Sequence, residues 1–207
     1  MAERVPPGRA GRLWLLSRLD TARRGADLLR RKRQLLRREH QRLSLLVEET
    51  ARAWRATSDA AERWGLRAAL LGGTTSVRYA AGRVQGQGNV LVAWRNTMGV
   101  RHPDEVRCVL PELSPAEVAA ANSALGPAAT AHRRALEAAA RHAVAVTAQR
   151  EVEAELVATQ RRLRAIERHR IPVLEAELRT LLLRLDEFER EERVITLWAS
   201  VRLGNVG

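Results

Sequence analysis

Aromatic residues make up 3 % of this 207-residue chain, and cysteine and lysine occur once each, as Cys108 and Lys32. Each scarcity excludes something. A single cysteine forms no intrachain disulfide and points to a reducing compartment. The lone lysine stands far from any glycine-rich stretch, so the G-x-x-x-x-G-K-[ST] cradle of a nucleotide phosphate cannot be assembled. No apolar run approaches the ~20 residues needed to cross a bilayer. The opening MAERVPPGRAGR also lacks the apolar stretch of a signal peptide. The expected setting is cytoplasmic, at a membrane only through partners.

What is abundant is Ala, Arg, Leu and Glu, a bias that with helical periodicity points to coiled coil or long helices rather than a compact α/β domain. The formal charge is +12, from 36 Lys plus Arg against 24 Asp plus Glu. Residues 1–64 hold 16 basic and 8 acidic residues, whereas 128–207 hold 14 and 12. The excess therefore sits on the first segment. Arginine at this level has two readings: a GC-rich genome that supplies arginine wherever a basic helix residue will do, or an acidic partner, since net charge steers association without specifying fold.

The chain reads as three segments. In the first, residues 1–64, steps of four and three from Leu15 reach Leu19, Ala22, Ala26, Leu29, Arg33, Leu36, His40, Leu43, Val47, Thr50, Trp54, Thr57, Ala61 and Trp64. Eleven of these fifteen positions are apolar, a sustained heptad seam. A helix of that length, roughly 80 Å, is not stable alone in water and needs a partner helix along its length. The last segment, 128–207, supplies it. Its upper seam is Val152, Leu156, Thr159, Leu163 and Ile166, above which Ala131, Ala135 and Ala138 make a thin seam; its lower seam is Ile171, Leu174, Leu178, Leu181, Leu185, Phe188 and Ile195. Between Ile166 and Ile171 the step is five, and Pro172 follows at once. A proline inside a helix removes a donor and clashes with the carbonyl four residues back, at a cost of roughly 3 kcal/mol. Phase slip and proline together predict one local bend.

The middle segment, 65–127, carries most of the glycines and four of the seven prolines and is expected to form a small head. The runs SVRYAAGRV and NVLVAWRN flank a GQG turn and predict a short β-hairpin. Ser114-Pro115-Ala116-Glu117 reads as a capping box that starts a helix. The expected fold is thus all-α, dominated by a long antiparallel two-helix coiled coil, with a small head containing the hairpin.

The same residues assemble little chemistry. The five histidines show no metal-binding pair at helical spacing, and His40, on the seam, more simply sets register. Nothing aligns His102 with Cys108 as base and nucleophile. The acidic cluster Asp186, Glu187, Glu189, Glu191, Glu192 is interleaved with Arg184, Arg190 and Arg193, a salt-bridged surface rather than paired catalytic carboxylates. Arg30, Arg31, Lys32, Arg33, Arg37 and Arg38 spread around the helix with no aromatic between them, unlike a stacking nucleic-acid site. No catalytic residue, metal site, cofactor or nucleic-acid partner is expected.

Three blocks carry a resemblance to the D subunit of the V-type and archaeal-type rotary ATPases. In LSRLDTARRGADLLRRKRQLL, Ala22, Gly25, Leu28 and Leu29 match the family's opening, and Arg30 stands where lysine is usual. MGVRHP, with Met98, Gly99, Val100 and Pro103, is similar to a Gly-Val-x-x-Pro element. The third block is the most specific. RRLRAIE brings Arg161, Arg162, Ala165 and Glu167; IPVLE brings Ile171, Pro172, Leu174 and Glu175; DEFEREE brings Asp186, Glu187, Glu189, Arg190 and Glu191. Arg164 replaces the family's asparagine and Ile166 its leucine. The tail VITLWASVRLGNVG departs from the usual lysine-rich helix by being apolar.

The resemblance implies a non-catalytic central-stalk component of an ATPase or ATP synthase moving protons or sodium ions. Its terminal end would enter the hexamer of catalytic (A) and regulatory (B) subunits. Its head would face the membrane-rotor socket, with the stalk's F subunit beside it and no direct membrane insertion. Candidate partner contacts are Arg30, Arg31, Arg37, Arg38, Met98, Gly99, Val100 and Pro103. The competing reading is a coiled-coil scaffold or adaptor, and behind it a basic nucleic-acid-binding coiled coil.

Overall fold

The structure, a computed structural model, describes residues 5–82, 86–111 and 122–204, the last six as backbone only. The capping box at Ser114–Glu117 lies outside the described residues. The elements are α1 (Gly8–Gly82), β1 (Asn89–Thr97), β2 (Val100–Val109), α2 (Leu125–Ala165), one π turn (Ile166–Arg170) and α3 (Ile171–Gly204). The fold is all-α with long N- and C-terminal helices and one small antiparallel sheet in the middle. No helix among the described residues is long and apolar enough to cross a membrane.

The chain divides into two compact units, Met1–Arg33 with Ala158–Gly207 and Gln34–Val157. In the first, Leu15, Leu19 and Leu174 form a buried cluster with Trp14, Ala22, Ile171, Leu178 and Leu181 against it. All but Trp14 are heptad positions of the expected coiled coil. The helices run antiparallel: Arg9 pairs with Glu189, Arg23 with Glu175 and Arg30 with Glu167. Phe188 and Ile195 were expected on the lower seam and are instead 59 % and 67 % exposed. Arg9–Glu189 is the last rung and α1 begins at Gly8, so α3 beyond that point has no described helix of its own unit to bury a seam against.

In the second unit the helices again pair antiparallel, through Gln149 to Ser44 and His142 to Thr50. One core holds Leu36, Leu43, Ala148 and Val152, and a second holds Ala68, Ala124, Leu125 and Ala128. Trp54, also on the expected seam, is 41 % exposed and stacks on His142 with ring centroids 5.3 Å apart.

α1 runs past Trp64 to Gly82, with one interruption at Gly73, whose φ of 70° and ψ of 165° are non-helical. The hairpin exists but is displaced from where the sequence pointed. SVRYAAGRV was expected as its first strand, yet residues 76–82 are the last turns of α1. The strands are β1 and β2, and the turn is Met98-Gly99 rather than GQG. Past the interruption at Gly73 the run takes up helix again, because Arg and Ala are good helix formers and Tyr a tolerable one. The start of α2 carries a cap that the sequence pattern did not reveal. There Asn122 Oδ1 accepts from the N–H groups of Ala124 and Leu125, and its amide donates to the Ala68 carbonyl. One side chain thus caps α2 and ties it to α1.

Candidate functional site

The hairpin is seated on the second unit by its tip. Met98 and Gly99 form a two-residue loop with φ of 53° and 84°. Two successive positive φ values match the twist of a hairpin turn, and glycine takes the second without a Cβ penalty. Asn96 Oδ1 accepts from the Gly99 N–H at 2.9 Å and holds the turn. The chain then returns inward. Val100 enters the core beside Leu36, Leu43, Ala148 and Val152. His102 is fully buried: its Nδ1 donates to the Pro103 carbonyl at 3.1 Å, and its Nε2 lies 3.1 Å from the Thr97 hydroxyl. Pro103 is buried where the strand register shifts, the position in a sheet that tolerates a missing donor.

Of the expected contact residues in MGVRHP, Val100 and Pro103 are thus covered by the chain itself. Met98 remains 44 % exposed, at the apex.

Charges fasten the same seat. Glu39 and Arg42 of α1 form a fork, with Nε and Nη2 of Arg42 at 3.1 and 2.6 Å from Glu39 Oε1. Asp104 accepts from Arg95 Nε at 2.8 Å and lies 3.9 Å from Arg42. The hydrogen bond from Arg42 holds the Glu39 carboxyl below the usual carboxylate range, with smaller contributions from His102 and Arg95 against the opposing effect of burial. A depressed carboxylate stabilises the fold above its unfolded-state pKa, and that contribution is lost as pH falls through the lower folded value. Stability should therefore decline between about pH 5 and pH 3. Glu39→Gln should flatten that decline and cost about 0.5 kcal/mol at neutral pH. Urea unfolding at several pH values measures both; a slope equal to wild type would rule the linkage out.

At the other end of the hairpin, Arg133 of α2 donates to the carbonyls of Leu110 and Pro111 at 3.0 and 2.6 Å. Beside it lies an apolar cavity of about 340 Å³ lined mainly by Ala68, Val77, Leu110, Leu125, Ala128 and His132. It offers no nucleophile with a base. Among the described residues no three His, Cys, Asp or Glu side chains gather as metal ligands.

In the first unit the family-like residues divide into two sets. Glu167, Glu175 and Glu189 hold α1 through Arg30, Arg23 and Arg9. Leu174 is in the core, and Leu29 and Ile171 are half-buried. Leu28, Arg161, Arg162, Ala165, Pro172, Asp186, Glu187, Arg190 and Glu191 face outward, and a side chain at Gly25 would meet open space. Arg193 Nε donates to the Glu189 carbonyl, so the charged run is stitched along its own helix as well.

Arg30, expected as a partner contact, grips Glu167 with Nε and Nη2 at 2.8 and 2.6 Å, and Nη1 reaches Asp27 at 2.5 Å. Those bonds, Glu167 first, raise its already high pKa further. Arg31, Arg37 and Arg38 are exposed. Past the last rung, Val194, Ile195 and Trp198 are 53–67 % exposed.

Periodicity alone could locate the seam but not the Arg42–Asp104 or Arg133–carbonyl contacts, because each joins residues far apart in the chain. A family model for the ATP synthase D subunit matches residues 13–199. No curated protein matches the chain.

Proposed function

This chain belongs to the family of ATP synthase D subunits, stalk components of rotary ATPases, and we propose that it is the central shaft that transmits torque between the catalytic hexamer and the membrane rotor. The observation that carries the reading is the antiparallel pairing of long helices, buried at heptad positions and cross-linked by interhelical ion pairs. Two helices joined along a seam resist twisting better than one. A charged exterior keeps such a shaft from adhering to the cavity in which it turns.

In this reading the apolar end of α3 enters the hexamer of A and B subunits, and the glycine-rich middle segment faces the membrane-rotor socket with the F subunit alongside. The chain stays peripheral to the membrane, on the cytoplasmic side. Hydrolysis or synthesis of ATP belongs to the hexamer.

Affinity capture of the tagged chain from native membranes is the decisive experiment. Recovery of the ATPase subunits is expected; recovery of an unrelated assembly would establish the scaffold reading instead. A second test concerns the arginine excess. Arg31 is exposed on the first unit and Arg37 and Arg38 on the second, whereas Arg30 is engaged within the chain. Neutralising the three to glutamine should weaken docking about three- to tenfold, on the scale of rim charges at an interface. Wild-type coupled turnover would show that the excess has no part in docking.

A further inference from the structure

The interhelical ion pairs count residues on both sides of the seam. Arg9 and Arg23 are fourteen apart, and so are their partners Glu189 and Glu175. Arg23 and Arg30 are seven apart, but Glu175 and Glu167 are eight apart. The C-terminal helical segment therefore carries one surplus residue between those two rungs. The interval contains most of the π turn Ile166–Arg170, in which the Ile171 N–H donates to the Ile166 carbonyl, five residues back. That is the same step of five that separates the upper and lower seams. A π turn is the form a single inserted residue takes in an α-helix.

Arg30 is placed to fix the surplus there. Its guanidinium holds Glu167, the second residue of the π turn, in a two-pronged grip and is itself braced by Asp27. No residue of the turn is buried. The core therefore does not lock it, and above and below it Leu163 and Leu174 are buried at 1 % and 2 % exposure.

We infer that the π turn Ile166–Arg170 is a register joint latched by Arg30. It absorbs one surplus residue so that both seams stay packed, and it is the point at which the C-terminal helix yields when load is applied. The register statement stands on the rungs alone; the statement about load rests on the shaft reading above. Pro172 follows from the joint rather than causing it. A proline is tolerated there because the preceding turn is already opened and lacks regular α-helical bonds.

Hydrogen exchange on the full chain tests the joint without reference to the motor. In Arg30→Ala the amides of Arg170, Ile171, Val173 and Leu174 should exchange about fivefold faster, while those of residues 152–157 stay unchanged. Arg30→Lys, a point charge without the fork, should give an intermediate rate. Pro172→Ala alone should leave exchange at Ile171 as fast as in wild type, because the surplus residue remains. Deletion of His169 combined with Pro172→Ala should slow those amides at least about tenfold by restoring a continuous α-helix.

Unchanged exchange in Arg30→Ala would overturn the inference, as would slowing by Pro172→Ala alone or loss of protection throughout 171–185 in the deletion. In the assembled ATPase, the deletion should lose ion transport while retaining ATP hydrolysis; full coupling would overturn the role under load. Failure of the wild-type chain to co-purify with the ATPase subunits would instead sink the shaft reading and leave the exchange result intact.

Discussion

Leu36→Ala lowers stability by about 2–5 kcal/mol, the range for truncating a leucine in a core that cannot collapse around the gap. Leu36 is fully buried, and its cluster joins three elements: Leu43 on its own helix, Ala148 and Val152 on α2, and Val100 from the start of β2. One truncation therefore loosens the helix pair and the hairpin seat together. Two measurements separate these effects. Urea unfolding followed by circular dichroism reads the loss from the whole chain. Hydrogen exchange at residues 100–108 reads the release of the hairpin, which is expected to exceed the change in α3.

Because Leu36 and Val100 share one core cluster, Leu36→Ala with Val100→Ala should depart from additivity by at least about 0.5 kcal/mol. A loss below about 1 kcal/mol for Leu36→Ala would mean that the hairpin is held by its charges alone.

The second large effect is on assembly and leaves the fold untouched. If the shaft reading proposed above holds, Ile195→Ala with Trp198→Ala should weaken association with the catalytic hexamer at least about 30-fold, the effect of removing an aromatic anchor that contributes about 2 kcal/mol or more. Both side chains are 67 % exposed and lie beyond the last rung, Arg9–Glu189. Their removal should shift the chain's own stability by less than about 0.5 kcal/mol. Titrating the variant into hexamer depleted of the shaft gives the affinity, and thermal melting of the chain alone gives the control. Undiminished affinity would place the apolar end outside the hexamer.

Much of the helical architecture is legible in the sequence. Steps of four and three predict Leu15, Leu19, Leu36, Leu43, Leu163 and Leu174, all of which are buried. The irregular step between Ile166 and Ile171 marks the π turn to the residue. Such features are local: burial of a stripe on a helix follows from the spacing of apolar side chains along it.

The misses share a different physics. Ile195 keeps the spacing but lies past the Arg9–Glu189 rung, where α1 has ended, and Phe188 is exposed at that rung, so spacing alone does not report their exposure. SVRYAAGRV resembles a strand by composition, yet its Arg and Ala residues favour helix, and residues 76–82 lie on the helical stretch that follows Gly73. Val100 and Pro103, which match a family pattern, and Arg30, which replaces its lysine, each touch their own chain, a contact that no local pattern reports.

The amino-acid order alone therefore settled that two long apolar stripes exist, that they must cover each other, and that a step of five interrupts one of them. Those are consequences of periodicity and composition, which act within a few turns. Only the folded chain decided which arginines are engaged internally, where the hairpin turns and what seats it, and which end of α3 is left uncovered. Those depend on pairs such as Arg30–Glu167, Arg42–Asp104 and Leu36–Val100, whose members meet only after the helices have packed.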